Sequence, residues 1–430
     1  MDAQFFYAKS PIKLLSPTVR HSAWATLWFA RVAWTTGQSI ALIRRGTEEK
    51  LSMRHALIWL AAAGATGLPF LAPNIANAAV VHSAGQPSRA AYVSPDGKAG
   101  AADRSCGSAA FSSVQSAVND VAAGRTVFVC AGTYDESVTV TKALTLAGRP
   151  GAVINASGDS YGVGVAASYV TVSGLTVENA SVGGTLADGI VTAGLVGGTM
   201  TPANHVTIVR DVTKNNTGSG IDLNSTSDSS ATGDISEGNA VGINVSDDFH
   251  QPATGNAIIG NLEEDNAGGC GIALADHTGQ GISYNRVLFN VSDDNGLGTA
   301  TGTAASAGSG VILAGSTGGI FDNTISGNTF DGNGHAGFDV HAHAPGMNLT
   351  GNVVTGNLIG DNNLRGSQGD TDSTGVYLGD ASPLTITVSG NVIHDDHFGV
   401  FTAGGPVTVN GVHQNVYFGV TADQGTTPAF

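Results

Sequence analysis

Two short patterns alternate from about Val170 onward, and together they leave few folds open. One is Asn-x-[Val/Ile]-x-x-Asn, found at Asn256–Asn261, Asn285–Asn290, Asn323–Asn328 and Asn352–Asn357. The other is Gly followed by apolar-x-apolar, beginning at Gly220, Gly242, Gly271, Gly310, Gly337 and Gly375, with shorter echoes at Gly399 and Gly419. They recur at roughly twenty to forty residues, the interval of a solenoid in which each repeat is one stacked unit. The strands implied are only three to five residues long and are separated by Gly and Asn, which accept tight-turn dihedrals. This predicts an all-β parallel β-helix whose alternate Val and Ile side chains fill the interior. The composition agrees, since 61 glycines and 12% charged residues accompany regular apolar alternation rather than a collagen period or a disordered tract.

The segment before the repeats reads as their cover. Phe111, Val114, Val118 and Val121 lie on one helical stripe that Gly124 terminates. An N-terminal amphipathic capping helix is what the open end of a stacked sheet needs against edge pairing. The expected organisation is an extension or leader over 1–52, a signal peptide over 53–78, a linker over 79–90, cap and first coils over 91–169, repeats over 170–420, and a tail over 421–430. The signal reading rests on Met53-Arg-His, the apolar run Ala56–Ala72 and the small-x-small end at Ala76–Ala78. No second apolar span follows, so no stable membrane insertion is expected after its removal. The remaining chain carries 31 Asp and Glu against 10 Lys and Arg, a balance of −21. That excludes nucleic acid as a partner and suits a secreted or cell-envelope protein, expected here as a monomer. Cys106 and Cys130 are expected to pair as a disulfide in an oxidising compartment, and Cys270, in Gly-Gly-Cys-Gly, reads as a small buried filler.

The residues most capable of chemistry lie in Gly337–His343. Period two puts Asp339, His341 and His343 on one strand face and Phe338, Val340 and Ala342 on the other. The connections from Asn290 to Gly310 and from Asn357 to Gly375 are long, whereas that from Asn328 to Gly337 is short. Two loop walls would thus bracket one low coil, the place where solenoids concentrate binding. Aligning coils sets Tyr377 beside Asp339 and brings Asp248 and His277 into line with His343. Carboxylate, imidazole and phenol at strand spacing form a candidate general acid–base set of Asp339, His341 and Tyr377. His343 and Arg365 are candidate substrate contacts, Arg365 for a carboxylate. No metal ligands are assigned, although bound calcium would let an acidic protein hold an anionic polymer. Val245–Asp248 and His394–His397 read as polar turns.

The repeats and the cap, Phe111 through Gly132-Thr-Tyr and Leu144-Thr-Leu, resemble secreted right-handed parallel β-helix proteins of the pectin-lyase-like class. The resemblance spans about 91–420 and implies the fold, a lateral carbohydrate-binding face and an extracellular polysaccharide partner. Gly337–His341, with Met347-Asn-Leu-Thr after it, is similar to the active coil of mannuronan C5-epimerases. Asp339 and His341 match that motif, Val340 stands in place of its Pro, and Tyr377 would replace its Tyr from the next coil. Lyase or epimerase activity on a uronate-containing glycan is the function implied. The alternatives are a non-catalytic extracellular binding or structural β-helix, and a metal-handling accessory β-helix like those of nitrous-oxide-reductase maturation, favoured by the scattered His.

Overall fold

A three-residue strand contributes one or two inward side chains, so the interior has to be assembled coil by coil. The computed structural model describes residues 90–182, 187–266, 268–298, 308–315, 317–342, 345–365, 373–380 and 382–426. Among these, three long parallel sheets of twelve, eleven and eleven strands wind as a right-handed β-helix. One coil illustrates the rest. Thr324–Ser326 lies in the first sheet, Thr329–Asp331 in the second and Phe338–Ala342 in the third. Ile325, Phe330, Phe338 and Val340 point inward from them and are fully buried. Gly337 opens the third strand because a Cβ there would lie 2.5 Å from Ile359 and 2.8 Å from Asn362 Nδ2.

The cap contains a short helix, α1 (Val114–Asp120), with Val114, Ala117 and Val118 buried. Ser113 caps it by accepting from Ser116 N–H, and the Glu136 carboxylate accepts from the N–H groups of Val114 and Gln115. The apolar stripe runs on to Val121, but the helix stops at Asp120, and Val121 is buried in extended conformation. Cys106 and Cys130 are disulfide-bonded, with Cα atoms 5.7 Å apart, and tie the cap's leading segment to the first sheet. The expected leader, signal peptide and nearly all of the linker lie outside the described residues, as does the end of the tail. Among the described residues no helix is long and apolar enough to cross a membrane.

The coils are joined by buried asparagine ladders. At the corner before the first sheet, Asn256 N–H and Nδ2 both donate to Asn285 Oδ1, Asn285 does the same to Asn323, and Asn323 to Asn352. Between the first and second sheets the ladder runs Asn261, Asn290, Asn328, Asn357, Asn391 and Asn415. A third climbs from Asn216 through Asn239, Asn266, Asn295 and Asn333 to Asn362, ending on Asp396. Each amide also reaches back one coil, as Asn328 Nδ2 does to Val287 C=O. Removing one rung leaves several enclosed groups unpaired at about 1–3 kcal/mol each. Asn328→Ala should therefore cost about 3 kcal/mol or more, read from the urea midpoint against an exposed Asn→Ala control.

The second ladder starts on carboxyls instead. Asp211 N–H donates to Asp234 Oδ1, and Asp234 N–H to Asn261 Oδ1. Asp234 Oδ2 is buried without a partner. Burial pushes Asp234 up to about 7, and Asp211 is raised in the same sense by burial and by Asp234. The folded chain thus holds a proton that the unfolded chain releases near 3.8. Stability is full below that value and declines as pH rises to 7, by about 1.4 kcal/mol per unit for one proton. Asp234→Asn should raise the thermal midpoint at pH 8 and leave it nearly unchanged at pH 4.

Candidate functional site

The third sheet carries the candidate residues on its outward face. Its middle strands are β1 (Ser219–Asn224), β2 (Val241–Ser246), β3 (Ile272–Asp276), β4 (Val311–Gly315), β5 (Phe338–Ala342), β6 (Thr374–Asp380) and β7 (Phe398–Gly404). Parallel register lines up Asp222, Asn244, Ala273, Ile312, Asp339, Tyr377 and Phe401 in one outward row. Tyr377 is therefore the direct neighbour of Asp339, the arrangement that coil alignment predicts.

That face is not bare around β5. Asp339 is 1% exposed and Tyr377 3%, while His341 is half-buried. Ser309 O–H donates to Asp339 Oδ2 at 2.9 Å, and His335 Nδ1 stands 3.4 Å from the same oxygen. Asp339 Oδ1 is enclosed without a hydrogen-bond partner. The His341 ring meets His335 edge-on at 6.5 Å and Tyr377 at 6.1 Å, and Tyr377 stacks on Phe401 at 5.9 Å. Ser309 N–H also donates to Cys270 Sγ at 3.2 Å. Burial pushes the Cys270 thiol up to about 12, and the nearby Asp339 carboxylate acts in the same direction. The cover comes from corner segments held across coils, since His335 N–H donates to Gly308 C=O and Asn363 N–H to His335 C=O.

The structure thus brings Asp339, His341 and Tyr377 together and adds Ser309, His335 and Cys270. Arg365 is exposed, with Nη1 donating to Leu297 C=O at 3.1 Å and its N–H to Gly334 C=O. His343 lies outside the described residues, as do 299–307 and 366–372, the middle parts of the two expected loop walls.

A second polar cluster occupies the same face on β1 to β3. Asn224 Nδ2 donates to Asp222 Oδ2 at 2.9 Å and to Asp248 Oδ2 at 3.1 Å. Asn244 and Ser246 donate to Asp222 Oδ1, and His277 Nδ1 lies 2.7 Å from Asp248 Oδ1. Burial pushes Asp222 up to about 7. Burial acts to raise Asp248 as well, but the hydrogen bond and charge of His277 outweigh it and hold the group below its ordinary value. His277 is raised in turn by its bond to Asp248. Coil alignment places Asp248 and His277 in line, yet a turn reading of Val245–Asp248 hides the pairing. Asp222 gives no signal in sequence beyond one acidic letter in a Gly-Ile-Asp-Leu strand. His277 should titrate above 6.5 by NMR, and Asp248→Asn should bring its midpoint back down.

A family model described as NosD, periplasmic copper-binding protein, matches residues 132–357. Comparison with curated protein sequences gives no match. Among solved structures, pectate lyase Pel9A is similar with a TM-score of 0.49 at 16% identity, over 77% of this chain and 78% of that one. The Azotobacter vinelandii mannuronan C-5 epimerase AlgE6 A-module gives 0.43 at 18%, over 74% and 95%. The Streptococcus pneumoniae surface protein and adhesin PfbA gives 0.40 at 13%, over 73% and 94%. These likenesses concern the fold alone.

Proposed function

The chain belongs to the NosD family, whose model spans more than half of its 430 residues, and from that premise we propose an exported β-helix that binds a polysaccharide on the outward face of its third sheet. The observation that carries this reading is a run of rings, His335, His341, Tyr377, Phe401 and Phe398, in which His335, Tyr377 and Phe401 are buried and back the partly exposed His341 and Phe398. Successive centroids in this run are 5.0 to 6.5 Å apart, and His341 remains at the surface. An amphipathic ring system with hydrogen-bonding edges suits the alternating C–H and hydroxyl faces of a sugar. A net charge of −16 favours an uncharged glycan over a polyuronate.

Binding is better supported than chemistry. A general acid or base has to come within hydrogen-bond reach of its proton. Asp339 and Tyr377 are enclosed, Asp339 Oδ2 is already engaged by Ser309, and Oδ1 is buried as well. Asp339 is placed to orient His335 rather than to meet a substrate.

The family is described as copper-binding, but the described residues do not fit that ion. Copper(I) calls for convergent thiolate, thioether or imidazole ligands, and a thiol has to ionise to serve. Cys270, the free cysteine of the described residues, is buried, hydrogen-bonded from Ser309 N–H and pushed up to about 12. Among the described residues no three His, Cys, Asp or Glu groups are placed to hold a metal ion. The calcium expectation gains no support from the same residues.

Affinity gels containing neutral and anionic polysaccharides test the proposal. His341→Ala should weaken retardation by a neutral polymer by about fivefold, equivalent to about 1 kcal/mol. Ultraviolet-absorbing unsaturated products should not form from polyuronates, and copper(I) titration should be the same for the wild type and Cys270→Ser. Product formation that His341→Ala abolishes would reinstate the lyase reading, and a stoichiometric copper site lost in Cys270→Ser would reinstate the metal reading.

A further inference from the structure

At the corner that leads into the first sheet, successive coils from Tyr169 to Asp322 each place one residue in the left-handed region. Asp228, Gly255 and Asp322 have φ of 54°, 72° and 56°, residues that accept this conformation at little cost. In the same row stand Tyr169 at 62°, His205 at 55° and Tyr284 at 57°. The row is fixed by backbone hydrogen bonds in which Tyr169 donates to Asn204, His205 to Ser227, Asp228 to Thr254 and Gly255 to Ser283. A bulky side chain there costs about 1–2 kcal/mol relative to glycine. Burial does not repay it, because Tyr169 is 65% exposed and Tyr284 60%. The rings are nevertheless organised. Tyr169 stacks on His205 at 4.8 Å and 11°, and Tyr284 meets Phe321 edge-on at 6.3 Å. On the opposite corner of the same sheet, Phe289 repeats the pattern, with φ 58° and 42% exposure.

Between these corners the first sheet presents an outward row in which Thr207, Ser230, Ala257, Arg286 and Thr324 share one register, polar except at Ala257. We infer that this face is a second glycan-binding surface, on which Tyr169, His205 and Tyr284 are stacking posts for a neutral polysaccharide running along the β-helix axis. The strained, exposed rings are the argument for a ligand, since they contribute neither to the core nor to backbone ease. Hydroxyls and a guanidinium between the posts match sugar hydroxyls, and the chain's net charge of −16 disfavours an anionic polymer. Tyr169 and Tyr284 are four coils apart, about 19 Å at a strand spacing near 4.8 Å. A chain of several sugar rings would contact both at once.

The inference does not depend on the third-sheet reading, and affinity gels separate the two. Hydroxyethyl cellulose, galactomannan and soluble starch are the probes, with polygalacturonate as the anionic control. Wild type should be retarded by at least one neutral polymer. In a His341→Ala background, Tyr169→Gly and Tyr284→Gly together should weaken the remaining retardation tenfold or more, while the thermal midpoint stays level or rises because glycine relieves the left-handed strain. Equal retardation of variant and wild type would overturn the inference, as would retardation by none of the neutral polymers. A loss confined to His341→Ala would overturn it while leaving the third-sheet site standing. If the double variant instead alters sedimentation without altering retardation, the face is a contact between copies of the chain and the inference fails.

Discussion

The buried hydrogen bond from one asparagine to the asparagine one coil later is the interaction on which the rest of the structure depends. Strands of three residues offer few ladder bonds per coil, and each corner would otherwise leave backbone groups enclosed without partners. A carboxamide supplies a donor and an acceptor together, so Asn290 and Asn328 satisfy both their own backbone and each other. Because the interior excludes water, these bonds are strong where made and costly where missing. They fix the rotation of every coil against the next, whatever the length of the connection between them. The separation along the chain from one rung to the next therefore varies from 23 to 38 residues without disturbing the stack.

Fixed register turns distant sequence positions into rows. Asp339 and Tyr377, or Asp248 and His277, become neighbours only because the ladders hold their coils in phase. The three faces are then treated differently by the corners. Corner segments around Gly308–Ser309 and Asn333–Ala336 fold over part of the third sheet, which removes Asp339 from water and leaves His341 at the edge. The first sheet keeps its outward row open, with Thr207 and Arg286 exposed. A polar residue on an outward face is therefore not equivalent to an accessible one.

This difference also marks how far the sequence could be read. The Asn and Gly half-units announce the coil, and period two correctly sends Phe338 and Val340 inward and Asp339 outward. What covers the outward face is written in connecting segments that obey no repeat, so Ser309 and His335 carry no visible link to Asp339. The third asparagine ladder escapes for a related reason. Asn266, Asn295, Asn333 and Asn362 sit after the second-sheet strand, at variable distance from the glycine that follows, and look like loop asparagines one at a time. Cys270 reads as filler, and it is indeed buried, but its contact with Ser309 places it in the same cluster as Asp339. Arg365 is a scarce cation in sequence, and its bond to the Leu297 carbonyl could not be inferred from scarcity.

The acidity of the chain, which looks like a statement about partners, is in part a consequence of turn geometry. Seventeen non-glycine residues have positive φ among those described, and seven of them are aspartates, a residue whose short side chain eases the left-handed conformation. At the corner between the second and third sheets, Asp265, Asp294, Asp361 and Asp395 occupy that position in different coils, which gathers charge along one edge. Other acids contribute less than a formal count assumes. Glu263 is fully enclosed with neither oxygen paired, and burial raises it well above the carboxylate range, while Asp396 is pushed up to about 8 by burial. Charge is thus withdrawn from the interior and carried by the corners. The first-sheet corner, where Tyr169, His205 and Tyr284 interrupt the Asp and Gly series, departs from that economy of backbone strain, a departure that the inferred glycan contact would explain and that folding alone does not.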